Sequence, residues 1–155
     1  MSNSDWGTEL IFEMRLASHS DTNFARHVHH AAYHDVVVRQ FGLWDEEEQD
    51  RFFEEDWRSG RFNIILFTGF PCGYSRVDVN KDSIIVHELV ISPEFQRKGI
   101  GTAILNQIIK EAETTGMPVR LGALKANRAV GLYRRLGFRD VDSTETHVSL
   151  EYRPA

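Results

Sequence analysis

Apolar residues recur at two spacings along this chain, and each change of spacing marks the edge of an element. Residues 9–17 (ELIFEMRLA) alternate in part and predict a first strand. Ser20, Asp21 and Thr22 offer oxygen caps for a helix that runs to Gln40 and stops at Gly42. Residues 45–58 predict a second helix, ended near Gly60. Residues 62–68 (FNIILFT) are strand-like, and residues 74–79 (YSRVDV) return as a strand. Between them residues 69–73 (GFPCG) read as a turn, because glycine and proline punctuate them. A further turn at residues 80–82 (NKD) leads into residues 83–91 (SIIVHELVI), a strong buried strand. After Gly99 the spacing lengthens. Ile104, Leu105, Ile108, Ile109 and Ala112 fall on one helix face, which closes at Gly116, Met117 and Pro118. Residues 119–124 (VRLGAL) are a strand. Ala129, Leu132, Tyr133 and Leu136 predict a helix over residues 127–136, with Gly137 as its C-terminal cap. Residues 138–143 and 147–152 finish as strands.

The order β-α-α-β-β-β-α-β-α-β-β predicts an α/β protein, with a mixed sheet between helical layers. With 155 residues the chain is one domain, residues 1–155, long enough to bury a core. No apolar run approaches the ~18 residues that a membrane span needs. The N-terminal stretch MSNSDWGTEL has no basic start and no apolar segment, so no signal peptide is expected there. The lone cysteine, Cys72, has no internal partner for a disulfide, and a cytoplasmic location is the expectation. A net charge of −5 argues against nucleic acid as a partner. The acid is concentrated: DEEEQDRFFEED, residues 45–56, holds eight carboxylates against one arginine. Such a run is ordinarily a solvated helix face. Its sharper reading is an acidic rim that draws in a cationic substrate.

The chemistry begins at VISPEFQRKGIGTAIL, residues 90–105. A buried strand breaks at Ser92-Pro93, turns basic, and passes through Gly99 and Gly101 into a helix. Open backbone N–H groups at a helix start form an anion site, and glycine lets a phosphate approach the backbone closely. Two rival phosphate loops fail on their own terms. A P-loop needs lysine after its last glycine, whereas Thr102 follows Gly101. A dinucleotide fingerprint needs a third glycine, where Ile104 stands, and an acid about twenty residues on, which MPVRLGAL lacks.

ISPEFQRKGIGTAIL resembles the acetyl-CoA-binding motif of the GNAT superfamily of N-acetyltransferases, with Gln96, Gly99 and Gly101 at its fixed positions. KANRAVGLYRRLGF, residues 125–138, resembles the second signature of that superfamily, with Asn127, Leu132-Tyr133 and Leu136-Gly137-Phe138 in place. The resemblance covers nearly the whole chain. It implies a three-layer fold with a mostly antiparallel, twisted sheet of about seven strands and helices on both faces. It also implies acetyl transfer from acetyl-CoA to an amine. The pyrophosphate would lie on Gln96, Arg97, Lys98, Gly99, Ile100, Gly101 and Thr102, mainly on backbone amides. Leu89, Val90 and Ile91 would hold the pantetheine and the thioester, and Asn127 and Tyr133 would contact the cofactor. A homodimer is the expectation the resemblance brings.

An alkyl amine with a pKa of ~10.4 is almost wholly cationic at neutral pH, so the protein must take its proton before the amine attacks. The developing oxyanion needs a donor, for which the backbone N–H of Val90 or Leu89 is the candidate. The leaving thiolate needs a proton, and Tyr133 stands where the family places that acid. The base is His87 or Glu88. Neighbours on a strand alternate faces, which groups His87 with Ile85, Leu89 and Ile91, and Glu88 with Val86 and Val90. A local bulge would bring both to the cleft. Aligned on the glycines, His87 falls where serotonin acetyltransferases carry a histidine and polyamine acetyltransferases a glutamate.

The first helix carries RHVHHAAYHDVVV. At helical pitch His27, His30 and His34 share a side and His29 points elsewhere. His30, Tyr33 and His34 are the candidates for shaping the acceptor pocket. No cysteine and no HExxH motif accompany these histidines, so no metal is expected. Ribosomal-protein acetyltransferases of the superfamily carry a glutamate where Gly122 stands here, which argues against a ribosomal N-terminus as acceptor. The expected acceptor is a small-molecule amine, polyamine-like on the strength of the acidic helix. The rival functions are acetylation of protein lysines or N-termini, and a non-catalytic module that only binds acyl-CoA.

Overall fold

A computed structural model describes residues 12–155. Residues 9–11 of the first predicted strand lie outside it. The elements run β1 Phe12–Leu16, α1 Thr22–Phe41, α2 Glu46–Arg58, β2 Asn63–Phe67, β3 Phe70–Val79, β4 Ile84–Ile91, α3 Ile100–Thr115, β5 Val119–Leu124, α4 Ala129–Arg135, β6 Arg139–Ser143 and β7 His147–Tyr152. The strands form one seven-stranded sheet in the order β1-β2-β3-β4-β5-β7-β6. Neighbours pair antiparallel except β4 and β5, which run parallel. No helix among the described residues is long and apolar enough to cross a membrane.

Helices cover both faces. On one, α3 buries Ile100, Ile104, Leu105, Ile108 and Ala112 against Ile84, Val86, Val119 and Leu121, with Val130 of α4 joining them. On the other, Ala25 and Val28 of α1 and Phe53 of α2 pack on Ile64, Tyr74 and Val90. α3 meets the sheet through the apolar stripe its sequence spacing foretold, and burial of that stripe supplies most of its stability. Cys72 is wholly buried in the α3-side core, and burial pushes its thiol up to about 11.

One boundary differs from the sequence expectation. The turn between β2 and β3 is only Thr68-Gly69, at φ 48 and 87, and Phe70 already pairs with Phe67. Two consecutive positive φ values make the tight hairpin that suits twisted strands. Pro71 and Gly73 therefore belong to β3, beside a register shift opposite Ile65/Leu66. Gly73 is needed for approach, not turning, because a Cβ there would run into the Val90 carbonyl.

The entry to α1 is fixed by one carboxylate. Asp21 accepts from Arg15 Nη1 and Nη2 at 2.8 and 2.9 Å and from the Ser18 amide at 2.8 Å. The Arg15 hydrogen bonds, above all, hold its carboxyl down at about 2. A depressed carboxyl contributes stability that is present above its ordinary value of 3.8 and lost as pH falls through about 2. Asp21→Ala is expected to cost about 1–2 kcal/mol at neutral pH. Melting curves should show that gap closing in acid; a constant gap would assign Asp21 a role other than this charged cap.

Candidate active site

Parallel pairing of β4 with β5 is short. Ile84, Ile85 and Val86 pair with Val119, Arg120 and Leu121, and beyond that the strands part. The gap opens an elongated cleft of about 1790 Å³, lined by Leu89, Val90 and Ile91, the loop after them, Asn127 and Tyr133, and by α1 and α2. That volume exceeds the ~300–1,000 Å³ of a typical small-molecule pocket, so two ligands fit together.

The loop after β4 is built to aim its backbone. Pro93–Phe95 makes one 3-10 turn, and Gln96 Nε2 donates to the Ile91 carbonyl at 2.9 Å. Gln96 thus ties the loop to the strand end through its side chain. Arg97 and Gly99 sit at φ 62 and 83, which turns the chain into α3. The first bond into that helix runs from the Ala103 N–H to the Gly99 carbonyl at 2.9 Å. The amides of Ile100, Gly101 and Thr102 precede it and stay open, as at any helix start. A Cβ on Gly101 would meet no protein atom within 4 Å. Open amides beside that empty space suit a phosphate group. Arg97 lines the cleft, whereas Lys98 is exposed and does not. Asn127 lines it too, but its Oδ1 accepts the Ala129 N–H at 2.9 Å and so starts α4.

The strand grouping of His87 and Glu88 needs correction. Arg76 pairs with Glu88 and Val77 with Val86, which leaves His87 unpaired as a β-bulge. The alternation therefore changes phase. Ile84, Val86, Leu89 and Ile91 face the α3 core, and Val90 faces α1 and α2. Both His87 and Glu88 line the cleft. His87 Nε2 lies 2.8 Å from Asp78 Oδ2 and the ring is partly exposed. Glu88 is more enclosed. It accepts from the Tyr33 hydroxyl at 3.2 Å, and its carboxyl is pushed up to about 8 by burial first and by the negative charge of Asp56 second. Tyr133 lies in the same cleft, raised to about 12 by burial and by Glu88. A carboxyl displaced toward neutral beside a phenol that keeps its proton can in chemical terms serve as base and acid.

On α1 the histidine that lines the cleft is not one of the two the sequence pointed to. Tyr33 lines the cleft, but His30 and His34 pack against Trp44, with ring centroids 5.2 and 5.1 Å away. The ring that lines the cleft is His29, 4.9 Å from Tyr33 and 5.6 Å from Phe53. The clue was its spacing: His29 and Tyr33 are one helical turn apart beside the buried Ala25 and Val28. His30 Nε2 lies 2.6 Å from Asp50 Oδ1 and 3.7 Å from Glu46 Oε1. The shorter distance is that of a hydrogen bond between ring and carboxylate, and the three side chains together form a cluster of metal-ligand type. Asp56 was also missed, since a long acidic run does not say which of its members turns inward.

The chain fits the profile of the acetyltransferase (GNAT) family over residues 21–138, which spans both glycine-bearing signatures. It belongs to that family. This GNAT protein is an acetyl-CoA-dependent N-acetyltransferase, with acetyl-CoA as its co-substrate. It is 34% identical over 88 residues to an uncharacterized N-acetyltransferase from Methanocaldococcus jannaschii, a match covering 51% of the chain and only 39% of that relative. It is 26% identical over 122 residues to an L-methionine sulfoximine/L-methionine sulfone acetyltransferase from Pseudomonas paraeruginosa, covering 70% of the chain and 71% of the relative. A ribosomal protein bS18-alanine N-acetyltransferase from Escherichia coli is 28% identical over 113 residues, covering 71% and 74%. In fold the GNAT protein resembles a PaiA N-acetyltransferase from Thermoplasma acidophilum solved with coenzyme A. The TM-score is 0.73 at 18% identity, over 92% of this chain and 99% of that one.

Proposed function

We propose that the chain acetylates the primary amine of a small-molecule acceptor by direct transfer, with both substrates in the cleft together. The observation that carries this is the placement of Glu88. It lies inside the cleft onto which the glycine loop opens, beside Tyr133, with Tyr33 holding its carboxylate. Acetyl-CoA, when bound, supplies the acyl group as a thioester. Glu88 takes the proton of the acceptor ammonium. His87, engaged by Asp78 and partly exposed, is the weaker base. A backbone N–H of Leu89 or Val90 faces the developing oxyanion, and Tyr133 returns a proton to the leaving sulfur.

The acceptor end argues against a plain polycation. Glu46 and Asp50 are engaged by His30, and Glu54 by Arg26. Asp45 and Glu48 still line the cleft, but so do exposed Phe41, Leu43 and Phe52. An amine on an apolar body uses both features, its charge at the carboxylates and its body on these side chains. A peptide N-terminus is the second reading. It rests on the bS18-alanine relative and on exposed Gly122 and Ser149, paired on β5 and β7, which leave a flat lane on the cleft side of the sheet. A homodimer is proposed on the family resemblance alone, and a cytoplasmic location on the lone cysteine, Cys72.

The test is thiol release from acetyl-CoA with purified protein and a panel of aromatic and aliphatic monoamines, polyamines, amino acids and N-terminal peptides. Saturable turnover is expected with monoamines that carry an apolar body, above polyamines. Turnover with peptides alone would overturn the small-molecule reading.

A further inference from the structure

Chemical balance requires a route out of this cleft. An ammonium and a thioester give an amide, a thiol and one free proton. Glu88, if it is the base as proposed above, sits enclosed between Tyr33 and Asp56 and cannot keep that proton through a second turnover.

We propose that His29, His30 and Asp50 form the exit, a proton relay that runs from the cleft to the exposed face of α2. From His29 outward the geometry is continuous. His29 Nδ1 lies 2.9 Å from His30 Nδ1, and His30 Nε2 lies 2.6 Å from Asp50 Oδ1. Exposure rises outward: the side chain of His30 is 15% exposed, that of Asp50 40% and that of Glu46 65%. His29 Nε2, at the inner end, makes no hydrogen bond among the described residues and is not sealed from solvent.

Hydrogen-bond chemistry fixes the protons. A carboxylate only accepts, so His30 Nε2 carries the proton toward Asp50. With His30 neutral, its Nδ1 accepts, and His29 must donate from Nδ1 and leave Nε2 bare. A proton that arrives through cleft water binds His29 Nε2. The Nδ1 proton of His29 then crosses to His30 Nδ1. His29 ends neutral with its proton on Nε2, and His30 ends as a cation against Asp50 and Glu46; its Nε2 proton passes through Asp50 to solvent, and flips of both neutral rings restore the starting tautomers for the next turnover. Burial, first, and the neighbouring His30, second, hold His29 down at about 4, which keeps it neutral between transfers. The titratable groups around the pair are Tyr33 on α1, Glu46 and Asp50 on α2, and Glu88 of β4, which reaches Tyr33.

Two measurements test the relay. The first needs no turnover. Imidazole ¹⁵N spectra of the full-length protein, taken over a descending pH series, should show His29 switching from the Nδ1–H to the Nε2–H tautomer while it stays neutral. An unchanged tautomer, or charging of His29 in the same step, overturns the proposal. The second is kinetic. His29→Gln and His30→Gln should each lower kcat by about tenfold or more, with acetyl-CoA affinity unchanged and imidazole buffer restoring the rate. Wild-type turnover, or a loss that imidazole does not restore, also overturns it. Glu88→Gln should remove turnover and leave the histidine tautomers in place, so a failure of the base assignment and a failure of the relay read out separately.

Discussion

Glu88→Gln is expected to lower kcat about 10²–10³-fold and, at the same time, to make the protein harder to melt above neutral pH. Both effects come from one displaced titration. Burial, and then the charge of Asp56, raise the Glu88 carboxyl to about 8 against the opposing Tyr33 hydrogen bond. Below that value it is protonated and idle; above it, it is a base. The wild-type rate should rise through about pH 8 and level off. It should not fall again soon, because Tyr133 keeps its proton until about 12. For stability the sign is opposite to that of Asp21. In the unfolded chain Glu88 ionises at 4.5. Between that value and about 8 the native state alone holds the proton, so its contribution is present below 4.5 and is lost as pH rises through about 8. Glutamine carries no charge to desolvate. The melting temperature of the variant should therefore pull ahead of wild type as pH rises from 4.5 to about 8 and keep that lead above it. A variant that keeps both the wild-type rate profile and the wild-type melting curve would remove Glu88 from the mechanism.

The second large effect is expected at Gly101. Gly101→Val should weaken acetyl-CoA binding by at least about tenfold, or 1.4 kcal/mol, while the fold holds or gains a few tenths of a kcal/mol. The site is helical, and an added Cβ there meets no atom from beyond its own stretch of helix within 4 Å. Valine is also the better helix former. Its three carbons would fill the space in front of the open amides. Gly99 is a poorer probe, because its φ of 83 would strain any side chain and mix folding with binding. Calorimetric titration beside a thermal melt separates the two quantities. Wild-type affinity in a folded Gly101→Val protein would mean that these amides hold no phosphate.

How much of this was legible in the sequence follows from the kind of signal each feature leaves. The helices and most strands declare themselves through period, as at Ile104–Leu105–Ile108 on α3, because their apolar faces are single and buried. The glycine loop declares itself because positive φ and close approach leave few residue choices. Gly73 did not, since a glycine kept for strand approach looks the same as one kept for a turn. The bulge at His87 is invisible in SIIVHELVI: every residue there suits a strand, and only the pairing with β3 reveals the extra one. The histidines fail for a related reason. Three of the four histidines on α1 cluster on one side of the helix, and that clustering drew attention away from His29; which side meets a cleft depends on where β4 and β5 part. Asp56 is a case of distance, since its partner Glu88 lies on another element far along the chain.

The short parallel seam between β4 and β5 has a consequence for how the molecule comes apart. Three register pairs join β1–β4 to β5–β7 within the sheet, while every strand pair on either side is antiparallel and longer. Within the sheet the join is therefore the shortest one, and α3, packed on Ile84 and Val86 on one side and Val119 and Leu121 on the other, is what holds it. A ligand lying in the parted strands touches both halves. It then acts as a clamp across the join, and slow amide exchange spreading to Val86 and Leu121 would be the mark of an occupied cleft.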